Sequence, residues 1–413
     1  MFKKLGSNII IYGLTNGLKS LVPFIMLPIL TRYLSVKDYG ILSLIEVTIL
    51  FLFPFISLNI NSAINVEYFH LGKKRLSLYI TNAFLLSLLS GVVFFFLFFT
   101  VRKDIANFLN LDETIIIWLP IFALLRVVSS VVSGIYQVSN KPLEFAIYTI
   151  FQTIIDFIFS YIFVVWYHYG YIGRLTGVYI SFFLASIYGI VILYKNNYIV
   201  FRFILLFSKK ILTYGAPLIP HVVGGVILAL SDRYFISYFI GNEAVGLYSV
   251  AYQISSIMLL LSISVNQAWV PFFYRLLTDF KENKAVIFRY IRLLMIFYTI
   301  CGLILYILSP FLYDLFIDQK FHNSKLYFPV LLVGLVFQSY YYLYTNFLFF
   351  YKKTTVLAKI TFFASLVNLV LNFININIFG VIGVAYATLI TYILYFLLIY
   401  IYVRNTLKFE VLI

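Results

Sequence analysis

The chain has 413 residues, of which 63% are hydrophobic and only 11% charged, with a mean hydropathy of +1.00; soluble domains average about 25% charged and 45–50% apolar residues. No soluble fold of this length hides that much apolar surface, so lipid must cover part of it. The formal net charge is +15, but the basic residues sit in short clusters between apolar runs, a pattern that orients membrane proteins and argues against nucleic-acid binding.

A membrane span needs about 20 mostly apolar residues. Twelve are expected, at 8–30, 40–65, 77–101, 114–138, 145–167, 175–194, 211–235, 246–270, 288–309, 328–350, 356–376 and 382–403. The first follows Met1-Phe-Lys-Lys4 without a small-residue cleavage site and is too long for a signal-peptide core, so it is expected to be retained. The seventh carries Pro217, Pro220 and Asp232-Arg233, and the eleventh is short and rich in Asn. Residues 198–210 are expected to join two halves, 1–197 and 211–413, as an interfacial helix. Residues 271–287 read either as a second interfacial helix or as an extended span end plus a loop. With both termini cytoplasmic, 20 of the 30 Lys and Arg residues fall on the cytoplasmic side, as the positive-inside rule requires for an even span count.

The two halves read as an internal repeat. Tyr33–Ser43 parallels Phe239–Ser249 with Gly40 and Gly246 aligned at an offset of 206. Ile155-Asp156 parallels Val367-Asn368 at 212, and Tyr169-Gly-Tyr-Ile-Gly173 parallels Phe379-Gly-Val-Ile-Gly383 at 210. Six spans is an even number, so both halves start on the same side, the arrangement of transporters with parallel repeats around a cavity.

Reactive residues are sparse. Cys301 lies alone in an apolar run, and His70, His168, His221 and His322 are scattered. No phosphate loop, GxSxG elbow or metal-ligand spacing occurs, so the sequence offers no hydrolytic or redox centre and no enzymatic reaction is expected.

Polar residues inside spans carry the functional signal, because an ionisable group at the bilayer centre costs roughly 2.5–3.5 kcal/mol and turns inward. Asn16 and Lys19 share a face of span 1 with Tyr12, Ser20 and Pro23. Arg126, Ser129, Ser130, Ser133 and Gln137 form a stripe on span 4, while Gln152, Asp156 and Ser160 line up on span 5. Ser43 and Glu46 share a face of span 2, and His221 and Asp232 lie along span 7 with Gly224 and Gly225. Asn266 marks span 8 with Ser255 and Ser262, and Asn368, Asn372 and Asn375 mark span 11. Lys19 and Arg126 read as holders of an anionic headgroup, Arg being able to fork two phosphate oxygens. Glu46 and Asp156 either pair with those cations or bind a coupling ion, and His221 is either a titrating group or a packed helix residue. The Ser and Asn residues line a cavity or join helices by hydrogen bonds. Aromatic residues make up 20% of the chain, and runs such as Tyr340–Tyr344 suit either sugar stacking or interfacial packing.

Pro28–Ser43, Ser231-Asp-Arg-Tyr-Phe235, Gly246–Tyr252 and Tyr169–Arg174 together resemble the polysaccharide-transport branch of the multidrug/oligosaccharidyl-lipid/polysaccharide exporter superfamily, which includes the O-antigen and capsule repeat-unit flippases. The resemblance implies an all-α membrane protein with two six-helix lobes around a cationic cavity, working by alternating access in the bacterial inner membrane. It implies a polyprenyl-diphosphate-linked glycan as substrate, moved to the outer leaflet, coupling to a Na⁺ or H⁺ gradient with no bound cofactor, and the pathway's polymerase and chain-length proteins as further partners. Arg32, Asp38, Gly40, Asp232, Arg233 and Gly246 are its motif positions, with Arg32 and Arg233 expected at the substrate. Twelve spans depart from the fourteen usual in lipid II flippases. Drug and cation extruders of the same superfamily have twelve and use acidic cavity residues, for which Glu46 and Asp156 qualify. A membrane-embedded polymerase or ligase would need a large outer loop, and none here exceeds about 20 residues.

Overall fold

The structure is a computed structural model that describes residues 2–200 and 202–409. Every regular element among them is helical, since an apolar chain in lipid must satisfy each backbone N–H and C=O within its own segment. Eleven of the described helices are long and apolar enough to cross a membrane, and Gln319–Leu326 with Phe328–Phe350, bent by 58°, completes a twelfth. Each expected span overlaps one of these, in order.

The chain divides into two compact units, Met1–Val226 and Ile227–Ile413. The first contains α1 (Phe2–Tyr33), α2 (Val36–Ser57), α3 (Ile60–Glu67), α4 (Lys73–Thr100), α5 (Arg102–Leu109), α6 (Glu113–Val138), α7 (Pro142–Tyr161), α8 (Gly170–Lys195), α9 (Leu205–Gly215) and most of α10 (Ile219–Leu230). The second contains α11 (Asp232–Phe239), α12 (Asn242–Ser255), α13 (Ile257–Thr278), α14 (Phe280–Phe316), α15 (Phe328–Phe350), α16 (Thr354–Phe379) and α17 (Val381–Phe409). The fourth span is the hub of the first unit and the tenth span that of the second: α6 packs on α2, α4 and α8, and α15 packs on α12, α13, α14 and α17. The fifth and sixth spans pack on each other, α7 with α8, as do the last two, α16 with α17.

The repeated glycines have a steric reason. A Cβ at Gly173 would meet the Phe163 carbonyl, and one at the equivalent Gly383 would meet the Asn375 carbonyl. Both turns bring the next helix against the end of the previous one, closer than any side chain permits. The Asp38 motif position is a cap: Ser35 Oγ accepts from the Asp38 N–H at 3.0 Å, and Asp38 Oδ2 accepts from the Ser35 N–H at 3.3 Å. This capping box starts α2. In the second unit Gly241, at φ 120°, provides the corresponding turn.

Several expectations change. The second span ends at Ser57, not 65, because Leu58 (φ 50°) and Asn59 (φ 53°) are both left-handed and break the helical ladder before α3. The seventh runs Leu205–Leu230 and is interrupted by a 3₁₀ turn at Ala216–Leu218, where Pro217 and Pro220 remove backbone donors. Asp232-Arg233 therefore opens a separate helix, α11. Residues 271–287 form extended span ends, since only Asp279 separates α13 from α14.

The joining segment is also not the helix expected over 198–210. Helix begins only at Leu205, and the backbone before it is fastened to α4. Val200 N–H donates to Thr81 Oγ1 at 2.9 Å and Ile204 N–H to Asn82 Oδ1 at 2.8 Å, while Asn82 Nδ2 donates to the Arg202 carbonyl at 3.2 Å. Further along, Lys210 pairs with Glu67 at 2.8 Å, and Asn59 Nδ2 reaches the Gly215 carbonyl at 3.2 Å. These bonds draw residues 205–226 into the first unit, so the boundary falls later than 211. Asn82 is completely buried, and its loss would orphan a backbone donor and an acceptor. Asn82→Ala should therefore lower stability by about 1–3 kcal/mol in detergent unfolding measurements, whereas Asn196→Ala, whose amide only returns to its own helix, should leave the melting temperature unchanged.

Candidate functional site

In the first unit, the intramembrane charges gather around α6. Arg126 forks onto Glu46 of α2, with Nη1 to Oε1 at 2.7 Å and Nη2 to Oε2 at 2.6 Å. Its Cζ also lies 5.0 Å from the Phe182 ring centroid on α8. The Arg126 side chain is 13% exposed and that of Glu46 50%, so the pair presents its acid outward and its base inward. The guanidinium that the sequence assigns to a phosphate is already engaged with a carboxylate, and its Nε has no hydrogen-bond partner among the described residues.

Asp156 of α7 pairs with Arg174 of α8, which also contacts Ser160. Ser160 Oγ donates to Asp156 Oδ1 at 3.0 Å. Arg174 is absent from the sequence-derived site because span 6 was expected to start at 175. The helix starts at Gly170 and carries Arg174 inside. The signal that could have found it is the Gly173-Arg174 pair beside a close helix crossing.

Lys19 is exposed on α1. It lies close enough to Arg126 to feel its charge, and among the described residues no carboxylate is within ion-pair distance of it. Lys19, Arg126 and Arg174 face two acids, Glu46 and Asp156, so the cluster keeps one net positive charge, and Lys19 is its unneutralised member.

The other predicted residues of this unit separate into joiners and exposed groups. Gln152 Oε1 accepts from Ser129 Oγ at 2.9 Å, and Tyr148 OH bridges to the Ala185 carbonyl at 3.0 Å, tying α6, α7 and α8 together. Asn16, Arg32, Gln137 and His221 are exposed. His221 is not a tightly packed helix residue: nothing lies within 4 Å of a Cβ built at Gly224 or Gly225 beside it.

The second unit buries one carboxylate completely. Asp232 is 0% exposed. It accepts from Tyr248 OH, from Thr388 Oγ1 at 2.7 Å and from Asn372 Nδ2 at 2.9 Å. Ser231 Oγ donates to Asn368 Oδ1 at 3.0 Å, Asn372 Nδ2 approaches the same oxygen at 3.1 Å, and Asn368 Nδ2 reaches Thr391 Oγ1 at 3.3 Å. Residues from α11, α12, α16 and α17 thus converge on one acid. Arg233 is only 5% exposed and lies over Tyr252, with Cζ 4.6 Å from the ring centroid. In this conformation it is too enclosed to meet a headgroup, contrary to its expected place at the substrate. Asn266 accepts from Asn346 at 2.8 Å, joining α13 to α15. Tyr341 of the tyrosine run stacks on Tyr395 at 3.9 Å and packs inside the unit.

Two units with repeated helix order give the all-helical fold seen in transporters of the MOP superfamily. The structure superposes on an inward-facing multidrug resistance MATE family transporter of that superfamily with TM-score 0.79, at 13% identity over 94% of each chain. It superposes on the lipid II flippase MurJ, in an inward closed conformation, with TM-score 0.76 at 18% identity, covering 96% of this chain and 87% of that one. Residues 5–277 match the family described as polysaccharide biosynthesis protein, and residues 217–374 match the MatE family. The chain belongs to the polysaccharide biosynthesis protein family. A Lsg locus protein of Haemophilus influenzae is 23% identical over 406 residues, covering 94% of this chain and 96% of that protein.

The Asp156–Arg174 pair gives a direct energetic test. Arg174→Ala strands a mostly buried carboxylate and should cost about 3 kcal/mol, the low end for breaking a buried pair. Replacing both partners, Asp156→Leu with Arg174→Met, should recover most of that loss in thermal unfolding. Equal destabilisation by the single and double variants would mean the pair does not clasp α7 to α8.

Proposed function

We propose that the protein is a flippase that moves a polyprenyl-diphosphate-linked oligosaccharide repeat unit, of O-antigen, capsule or a related glycan, from the cytoplasmic to the outer leaflet of the bacterial inner membrane by alternating access. Lys19 carries the reading. A cation inside a span and without an acid partner needs an anionic ligand to offset its desolvation, and it belongs to a chain whose residues 5–277 match a polysaccharide biosynthesis family. The Arg126–Glu46 fork holds Arg126 beside it but turned inward, so the diphosphate would meet Lys19. The lipid tail stays in the bilayer, and no covalent step is needed.

Coupling to a Na⁺ or H⁺ gradient is assigned to Asp232. Glu46 and Asp156 are each bonded directly to an arginine, whereas Asp232 receives hydrogen bonds from the neutral groups of Tyr248, Thr388 and Asn372 with the charge of Arg233 close by. The acids that a drug extruder would offer to a cationic substrate are therefore occupied.

In a strain lacking this protein, lipid-linked repeat units should accumulate on the cytoplasmic leaflet and surface glycan should disappear. Lys19→Ala should reduce restored surface glycan at least about ten-fold, the effect of about 1.4 kcal/mol, while Lys19→Arg retains part of it. Unchanged glycan together with new sensitivity to cationic drugs would replace this reading with the extruder. Asp232→Asn preserves the shape of its site and should leave transport insensitive to collapse of the coupling gradient, measured as residual flipping in vesicles with and without an imposed ion gradient.

A further inference from the structure

The hairpin of α16 and α17 carries a feature that the proposed transport cycle does not use. At its open end, a groove of about 520 Å³ runs between the start of α16 and the end of α17. That volume lies within the roughly 300–1,000 Å³ typical of ligand pockets. Val356 and Ile360 form one wall, and Leu398 and Ile401 the other, following helical spacing on both helices. Lys359, Tyr402, Asn405 and Thr406 also line it.

The described residues of α16 and α17 carry charge of one sign. The sequence contains no Asp or Glu between Asp318 and Glu410, while Lys352, Lys353, Lys359 and Arg404 cluster at this end of the hairpin. Lys359 is exposed and, among the described residues, it has no ion pair and neither Tyr402 nor Asn405 has a side-chain hydrogen bond. The Thr406 hydroxyl donates to the Tyr402 carbonyl at 2.9 Å, leaving its oxygen lone pairs free to accept. An apolar slot about one helical turn long therefore sits beside a cation and uncommitted polar groups.

We propose that this groove binds one anionic phospholipid of the surrounding leaflet, with its phosphate at Lys359 and an acyl chain along Val356, Ile360, Leu398 and Ile401. A zwitterionic lipid would place an ammonium group among Lys352, Lys353 and Arg404, where the field is repulsive. An anionic headgroup matches the field, and Asn405 and Tyr402 can donate to its oxygens. The lipid would hold the last two helices of the second unit together at the end where no turn joins them.

The test compares lipid retention by the purified full-length protein after exchange into nanodiscs of phosphatidylcholine containing a minor fraction of phosphatidylglycerol, read by native mass spectrometry. The wild type should retain one phosphatidylglycerol selectively. Lys359→Gln should weaken that retention about five-fold, the effect of one basic residue at an anionic surface. Ile401→Trp fills the slot and should abolish retention, while Lys284→Gln on α14 should not change it. Melting temperatures of the variants without added phosphatidylglycerol check that they are folded. Equal retention of both lipids, or retention untouched by Lys359→Gln and Ile401→Trp, overturns the proposal. So does selective capture of a polyprenyl phosphate in place of phosphatidylglycerol, which would make the groove a seat for the carrier lipid.

Discussion

Hydrocarbon offers no partner to a charge, so every ionised group that this chain carries into the membrane must find its counter-group within the protein or wait for a ligand. The Arg126–Glu46 fork is the clearest product of that constraint. It ties the hub helix α6 to α2 through two short bonds. Asp156 is taken up by Arg174, and Lys19 is left over. A site that is one positive charge in excess, with two of its cations already held in fixed orientation, is preorganised for an anion.

The two halves meet the same constraint with different chemistry at equivalent positions. At the offset of 212, Asp156 and Ser160 correspond to Asn368 and Asn372. In the first unit these positions hold half of an ion pair. In the second they hold neutral amides, and the acid is Asp232, hydrogen-bonded by hydroxyl and amide donors with Arg233 next to it in the chain. An arginine-paired carboxylate is locked, because neutralising it strands the arginine. A carboxylate held by neutral donors can exchange a proton or a cation at lower cost, since its partners remain satisfied by one another. This asymmetry divides the labour proposed here, with anion binding in one half and ion coupling in the other.

Much of the fold is legible without coordinates because lipid imposes long apolar runs, and runs of about 20 residues can be counted. The repeat is legible for a steric reason: Gly173 and Gly383 recur where the last two helices of each half meet too closely for a Cβ. Helix ends were less legible. The break at Leu58-Asn59 rests on two left-handed non-glycine residues inside a polar stretch, and Arg174 was assigned to a loop because the helix start was placed five residues late. The joining segment was read from its apolar-basic composition, which does not reveal that Asn82 of a distant helix holds it extended.

The sequence by itself determined that this is a membrane protein of about twelve spans in two related halves, and which polar residues share a helix face, because hydropathy and helical periodicity are local properties. The tertiary structure alone decided that Arg126 meets Glu46, that Asp156 meets Arg174 and not Lys19, that Asp232 is buried among neutral donors, and that Arg233 lies closed under Tyr252. The physical reason is that periodicity fixes the face of a helix on which a residue stands but not the helix which that face will meet. Pairing depends on contacts between segments separated by 16 to 156 residues in the chain, and only packing brings them together.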